Sequence, residues 1–454
     1  MATMLSSIFV ATSILFLPSS LAFSSSKPSG GILSWEALQS KPALDRPPPP
    51  IFYDTLPPED AASLSSLPVL YRDKECICAA CESVWLALEV KNIHYVTVLV
   101  DRDAHVVPRI EWPTDDDEGN GKSEAAAITS DPIKLLEQIQ SRYPDSEPNF
   151  YPKLSAAVDA SRCNVMRLPG VMPRNSDENL MSYAPYLFRT DGTLVKPSSH
   201  AVSLEEVEEM QEEYYLGDFL CGKTITAADI IWAPYLERYA IALPLVFPNK
   251  AKLNPRNRNV YGEVDNWYKI MERECAPYIC RVMGDKKHWR SCLEMAINIH
   301  NERVASDDER VSISDIPNES GWWLKKNGIP NLQMIWKEYS QDRPWVADSA
   351  GGEIALFMSR NREMIVKNAV DTGDFDMDTA DEALREVIQV LLDWDIYFDQ
   401  SSEDVETELQ QPLSEVGFKM ALFVAEEIIQ VPRDVGVIPA RTLWELIWSC
   451  SDSR

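Results

Sequence analysis

Residues 66–100 constrain the fold of this chain more than any other stretch. Ser66–Asp73, SLPVLYRD, is a short apolar run with a polar stop and reads as a strand. Cys78–Asn92, CAACESVWLALEVKN, has Val84, Trp85, Ala87 and Leu88 at helical spacing and predicts an amphipathic helix. His94–Val100, HYVTVLV, is β-branched and apolar, the pattern of a buried strand. Such a unit joins its two strands in parallel through a right-handed crossover. His105–Trp112 then predicts a third strand, followed by an acidic hairpin loop at Asp115–Lys122. Glu124–Ile128 predicts a fourth strand and Ser130–Arg142 a closing helix.

The chemistry of this unit sits where its first strand meets its helix. Nine cysteines in 454 residues are not a disulfide scaffold. Three of them, Cys76, Cys78 and Cys81, crowd one short segment. The other six, Cys163, Cys221, Cys275, Cys280, Cys292 and Cys450, are scattered and read as small buried hydrophobes. A thiolate is the nucleophile, and a free thiol is mostly protonated at neutral pH. At a helix N-terminus, Cys78 has unpaired N–H groups and the positive dipole end beside its sulfur. Arg72 and Lys74 add positive charge nearby. Cys81, one turn later on the same face, is placed to resolve a mixed disulfide formed at Cys78. The alternative for Cys-x-x-Cys is a zinc half-site with Cys76 as a third ligand. No partner pair with matching spacing follows, so no metal site is assigned.

The order βαβ–ββα is that of thioredoxin-like domains, and the motifs are more specific than the order. LYRDKECICAACESVWLALEVKNIHY resembles the opening of cysteine-type glutathione transferases, the omega, lambda and dehydroascorbate-reductase classes. Their Cys-Pro-Phe-Cys falls on Cys78–Cys81. Val107-Pro108 falls on their cis-proline, and Thr129-Ser130-Asp131-Pro132-Ile133 on their Glu-Ser-x-x-Ile. Further on, GDFLCGKTITAADIIWAPYLERY resembles the signature of the all-helical domain of the same family. Thr226 and Asp229, three apart, also fit a helix-capping box. Trp232, Tyr235, Leu236 and Tyr239 line one face of the helix that follows and read as core.

The resemblance implies a thioredoxin-like domain followed by an all-α domain. It implies glutathione as cosubstrate, held by Val107, Pro108, Thr129 and Ser130, and a thiol transferase or reductase with Cys78 and Cys81 as catalytic residues. The substrate would be a disulfide or a glutathionylated protein, and the assembly a homodimer. The chain departs from the pattern at Ala79-Ala80, at Thr129, and at residues 101–105, too few for the family's second helix. Those departures keep a second function open, a non-catalytic binding or interaction module on the same fold.

The remaining boundaries follow from composition. Residues 4–22 hold an apolar run ending in Ala, and a serine-rich, acid-poor stretch follows. Residues 1–45 therefore read as a signal-plus-transit presequence that resembles those directing proteins to algal secondary plastids. The secretory pathway is the alternative address. No integral membrane segment is expected in the mature chain. Residues 46–65, with Pro47–Pro50 and Pro57-Pro58, read as a stiff linker. The thioredoxin-like domain takes 66–150, the all-helical domain 151–305, and a helical extension 306–454. In that extension Glu353–Lys367, Ala383–Trp394, Phe418–Ile429 and Thr442–Trp448 predict helices. The net charge of −28, from 71 acidic against 43 basic side chains, repels a phosphate backbone and excludes nucleic acid as a partner.

Overall fold

The computed structural model describes residues 31–61, 63–101, 105–113, 129–155, 159, 204–205, 207–209, 212, 217–303, 310–313, 332–399 and 413–452. Its sheet has four short strands, β1 (Ile51–Tyr53), β2 (Val69–Asp73), β3 (Val96–Val100) and β4 (Arg109–Glu111), in the spatial order β1-β3-β2-β4. β2 and β3 pair in parallel from Val69↔Val96 to Asp73↔Val100. All five residues of β3 are buried, as expected of a parallel strand covered on both faces. β4 runs antiparallel to β2, with Tyr71 opposite Arg109. The predicted fourth strand at 124–128 lies outside the described residues.

The other edge of the sheet corrects the sequence reading. β1 comes from the proline-rich segment read as a linker, and pairs in parallel with β3 through Ile51↔Thr97. A three-residue strand behind prolines carries no readable alternation. The open edge of β3, and not local propensity, makes it a strand.

After two short helices, α1 (Trp35–Gln39) and α2 (Pro58–Ala61), the connection between β2 and β3 is α3 (Ala79–Val90). Its buried residues, Ala79 and Cys81–Glu89, run all the way round it. The amphipathic pattern expected there is overridden because a second helix covers its outward side. That helix is α5 (Ala227–Val246), which packs on α3; α4 (Pro132–Arg142) packs beside it. Thr226 and Asp229 form the expected capping box at the start of α5. Asp229 also accepts hydrogen bonds from the Leu220 N–H at 2.8 Å and from Trp267 Nε1 of α6 (Gly262–Glu274) at 2.9 Å. Trp232, Tyr235, Leu236 and Tyr239 are core, as read. The acidic run at 202–216 also predicts an amphipathic helix, which falls mostly outside the described residues.

From residue 332 onward the chain does not stand apart. After α7 (Lys286–Arg303) come α8 (Leu332–Ser340), α9 (Ala350–Arg360), α10 (Arg362–Asp371), α11 (Met377–Asp399), α12 (Glu415–Phe423) and α13 (Val437–Asp452). α9 packs on α11 and α13, and one continuous core joins Leu70, Val84 and Ile231 to Ile354, Leu384 and Leu443. The single helix predicted over 353–367 is two, broken at Asn361, which ends α9 and begins α10.

The boundary at residue 45 does not mark where packing begins. Leu38 is fully buried, and Trp35 Nε1 donates to Asp381 at 2.8 Å. The Leu33 backbone bonds Gln389 and Arg385 of α11 through its N–H and C=O, each at 2.9 Å. A presequence ending at 45 would remove this docked segment. Composition could not show it, because its partners lie about 350 positions away.

The seat of α13 tolerates no side chain at one point. Gly436 lies so close to the Cys280 carbonyl that a Cβ would collide with backbone. Cys280 belongs to a π-helical turn, Tyr278–Val282, which packs against both α3 and α13. Gly436→Ala is expected to destabilise the protein by about 1–3 kcal/mol or more, because backbone yields less readily than a side chain. Equilibrium denaturation measures it, and an unchanged midpoint would refute the close seat.

Candidate functional site

The loop from β2 to α3 carries the three clustered cysteines. Cys78 has extended backbone angles and occupies the N-cap position of α3. Its sulfur accepts the Cys81 N–H at 3.2 Å, as the helix N-terminus demands of a capping atom. Cys78 is partly exposed, whereas Cys76 and Cys81 are buried. Burial pushes the Cys81 thiol well above its ordinary range, and the neighbouring Cys78 pushes it further. Burial likewise pushes Cys76 up to about 11, against the pull of Arg72, whose Nη1 donates to its sulfur at 2.8 Å. Of the three, Cys78 alone combines access with a backbone donor.

Charged groups hold this loop from both sides. The Asp73 carboxylate, at the end of β2, accepts the N–H groups of Ile77 at 2.8 Å and of Cys78 at 3.1 Å. Arg238 of α5 reaches across to donate to the Ile77 carbonyl at 3.2 Å. The loop turns sharply at Cys76, whose φ of 54° is in the left-handed region. Arg72 stacks on Trp85 of α3 at 4.2 Å. Lys74 is engaged with Asp101 at 2.7 Å. Tyr71 donates its hydroxyl to Glu111 at 2.8 Å, and burial with that bond pushes it up to about 12.

The remaining predicted binding residues fall at two places. The Val107-Pro108 bond is cis and immediately precedes β4. Continuing the β2–β4 register brings Pro108 and Val107 opposite Arg72 and Asp73, where the cysteine loop departs. At the start of α4 the capping residue is Asp131: its carboxylate accepts the Ile133 N–H at 3.0 Å. Thr129 Oγ1 accepts the Asp131 N–H at 3.2 Å. Ser130 is partly buried and keeps its hydroxyl out of the cap. A cavity of about 360 Å³ lies between the sheet edge and the C-terminal helices, lined by Tyr53, Lys74, Leu99, Phe357, Met364 and Arg433 among others. None of the predicted site residues lines it. Among the described residues no group of three or more His, Cys, Asp or Glu is placed to hold a metal ion. Nor, among them, is any helix long and apolar enough to cross a membrane.

Sequence reasoning missed Asp73, Arg238 and His288. Nothing local marks them, since each acts on a segment far along the chain or through a tight turn. His288 of α7 is buried and bonds the Cys76 backbone, with Nε2 3.6 Å from the Cys292 sulfur. Burial, then Arg238 and Arg433, push it down to about 3. Below an unfolded value of about 6.5 the unfolded chain binds a proton that the folded one refuses. Stability from neutral His288 is therefore complete above that value and lost as pH falls toward 3, by about 1.4 kcal/mol per pH unit. Burial also pushes Asp285 up to about 6, which acts with the opposite sign over an overlapping window. The difference between the protein and its His288→Gln variant isolates the histidine. That difference is expected to shrink as pH falls below about 6.5; a pH-independent difference would refute a neutral buried ring.

No protein-family model and no curated protein matches the sequence. Among solved structures, the chain is similar to an omega 3C glutathione transferase from Trametes versicolor. The two are 18% identical over 53% of this chain and 95% of that one, at a TM-score of 0.34. It is similar to a glutathione transferase homologue from Drosophila mojavensis with bound glutathione, 16% identical over 52% and 97%, TM-score 0.34. A trimeric glutathione transferase from Leishmania is 14% identical over 52% and 50%, TM-score 0.38. At such identities and scores, function has to be read from the site's own residues.

Proposed function

We propose that this chain is a glutathione-dependent thiol transferase or reductase, built on a thioredoxin-like domain and an all-helical domain, with Cys78 as nucleophile. One observation carries the reading: the partly exposed Cys78 sulfur caps α3 and takes a backbone N–H there. Its thiolate would attack one sulfur of a mixed disulfide, forming the Cys78–S bond as the other sulfur leaves as a thiolate and takes a proton from solvent. With a glutathionylated protein, Cys78 keeps the glutathionyl group. The thiolate of a second glutathione then attacks that group, releasing glutathione disulfide and the Cys78 thiolate. Val107 and Pro108, beside the loop, and Thr129 and Ser130, at the start of α4, are the residues proposed to bind glutathione. The positive end of the α4 dipole suits a carboxylate.

Two features favour the second reading, a non-catalytic binding module. Only residues 101–108 separate β3 from β4, and Asp73 places a carboxylate beside the loop. Recombinant residues 31–454, which keep the docked N-terminal segment, separate the readings. Retention on immobilised glutathione together with hydroxyethyl-disulfide reduction supports the enzyme. Absence of both would overturn the enzyme reading and favour the module. A plastid address is proposed from the leader alone, with cleavage upstream of Leu33 so that the docked segment survives. The N-terminus of the mature protein, read by mass spectrometry, tests it.

A further inference from the structure

Two acids meet inside the joint between α3 and α5. Glu82 and Glu237 are 3% and 5% exposed, so neither is served by solvent. Glu82 Oε2 accepts Arg238 Nη2 at 2.7 Å, and Glu237 Oε1 accepts the Gly284 N–H at 2.6 Å. The two oxygens left over, Glu82 Oε1 and Glu237 Oε2, are buried with no donor. Yet the two side chains lie within hydrogen-bonding reach of each other. Two ionised carboxylates cannot bond and repel strongly at such range. One proton between them turns both orphaned oxygens into a single hydrogen bond.

We infer that Glu82 and Glu237 share one proton and, with Arg238, form a neutral buried triad that positions the Cys78 loop. Glu82 faces the guanidinium and carries the negative charge. Glu237 carries the proton, donating it from Oε2 to Glu82 Oε1 while its Oε1 keeps the Gly284 N–H. Burial pushes both acids up, Glu237 well above the carboxylate range with Glu82 reinforcing it. Among the described residues, Arg72, Cys76, Tyr268 and Tyr278 act on the pair, and neutral His288 and Tyr235 face Arg238. Arg72 is engaged with Cys76, and the tyrosines add no positive charge. A neutral triad is what a dry joint can hold, because an uncompensated charge there costs several kcal/mol.

The triad acts on Cys78 through Ile77. Arg238 donates to the Pro234 carbonyl at 2.7 Å and to the Ile77 carbonyl at 3.2 Å, while Asp73 takes the Ile77 N–H. Both polar groups of the residue before Cys78 are therefore held. Arg238 is a positioning residue; that role rests on Cys78 being the reacting thiol, whereas the shared proton does not.

Glu237→Gln tests the proton. A glutamine amide can accept the Gly284 N–H and donate to Glu82 Oε1 with no titration. Infrared difference spectra of the protein against this variant at neutral pH are expected to show loss of an undissociated carboxyl C=O stretch. Loss of an ionised carboxylate band instead would overturn the shared proton. The folded state holds a proton that unfolded Glu237 releases above about 4.3, so stability relative to the variant is expected to fall as pH rises. A flat difference would also overturn it. Arg238→Lys tests the positioning: a lysine cannot span Glu82, Ile77 and Pro234 together. Its Cys78 alkylation profile with iodoacetamide is expected to shift along the pH axis, while that of Glu237→Gln superimposes on the parent. If Arg238→Lys fails to fold, Glu82→Asp, which withdraws the carboxylate by one methylene, serves instead. A superimposable profile in the folded variant would overturn the positioning role. Neither measurement uses glutathione, so failure to bind or turn over glutathione would count against the proposed function and leave the triad standing.

Discussion

Cys78→Ser is expected to reduce thiol transfer to the uncatalysed background, while Cys81→Ser retains part of it. The variants differ because the bond that serves the Cys78 sulfur comes from the backbone N–H of residue 81, not from its thiol. Serine at 81 leaves that donor in place. The Cys81 thiol is buried and pushed well up, so it is protonated at neutral pH and contributes no charge to the attack. Glutathione can resolve the mixed disulfide in its stead. The loss from Cys81→Ser should stay below about tenfold, or about 1.4 kcal/mol in the barrier. Serine at 78 is a good N-cap and keeps the fold, yet its hydroxyl stays protonated at neutral pH and is a poor nucleophile. Cys76→Ser is the control, since Cys76 is buried on Arg72 and pushed up to about 11. Steady-state rates of the three variants on a glutathionylated peptide decide. Equal loss in all three would assign the cysteines a structural role.

Arg343→Ala is expected to cost about 3–5 kcal/mol, the range for removing one partner of a buried ion pair. The Glu89 carboxylate, near the end of α3, receives Tyr95 at 2.7 Å, Tyr339 of α8 at 3.2 Å and Arg343 at 3.3 Å. Arg343 also donates to the backbone carbonyls of Glu89 at 3.1 Å and Tyr339 at 2.7 Å and lies over the Tyr339 ring. It is 8% exposed. Alanine would leave the carboxylate buried with two phenols, no hydrogen bond from Arg343 and only the Coulombic attraction of Arg281. Replacing both partners by uncharged residues, Glu89→Gln with Arg343→Met, should cost less than the single change, because no charge is then stranded. Denaturant unfolding followed by two probes measures both, since a chain this long need not unfold in one step. A loss under about 1 kcal/mol would reduce the clasp to the worth of a surface pair. The exposed Arg273–Glu274 pair, 2.7 Å apart, offers that comparison within the same protein.

Both predictions concern α3, and the two ends of that helix differ in how readable they were. Its N-terminus was legible because everything that makes it is local. An apolar strand runs into a turn, and a cysteine stands where a helix needs a cap. The capping box of α5 was legible for the same reason: Thr226 and Asp229 are three residues apart. The strand at 69–73, the strand at 96–100 and most C-terminal helices likewise follow from apolar periodicity.

What surrounds those elements was not legible. Residues 31–46 dock against α11 and the 348–360 region, and residues 51–53 extend the sheet, yet proline and polar composition marked both as outside the fold. Glu82, Arg238 and His288 read as ordinary helical residues, and only burial beside one another turns them into a charge-balanced support for the cysteine loop. The amino-acid sequence by itself determined the strand–helix–strand unit, the cap at Cys78 and the helical periodicities, because those depend on neighbours within a few residues. The tertiary structure decided which charges are buried together, which edge of the sheet is filled and how the C-terminal helices clasp α3. Those outcomes depend on desolvation and on contacts between residues far apart in the chain, which no local pattern encodes.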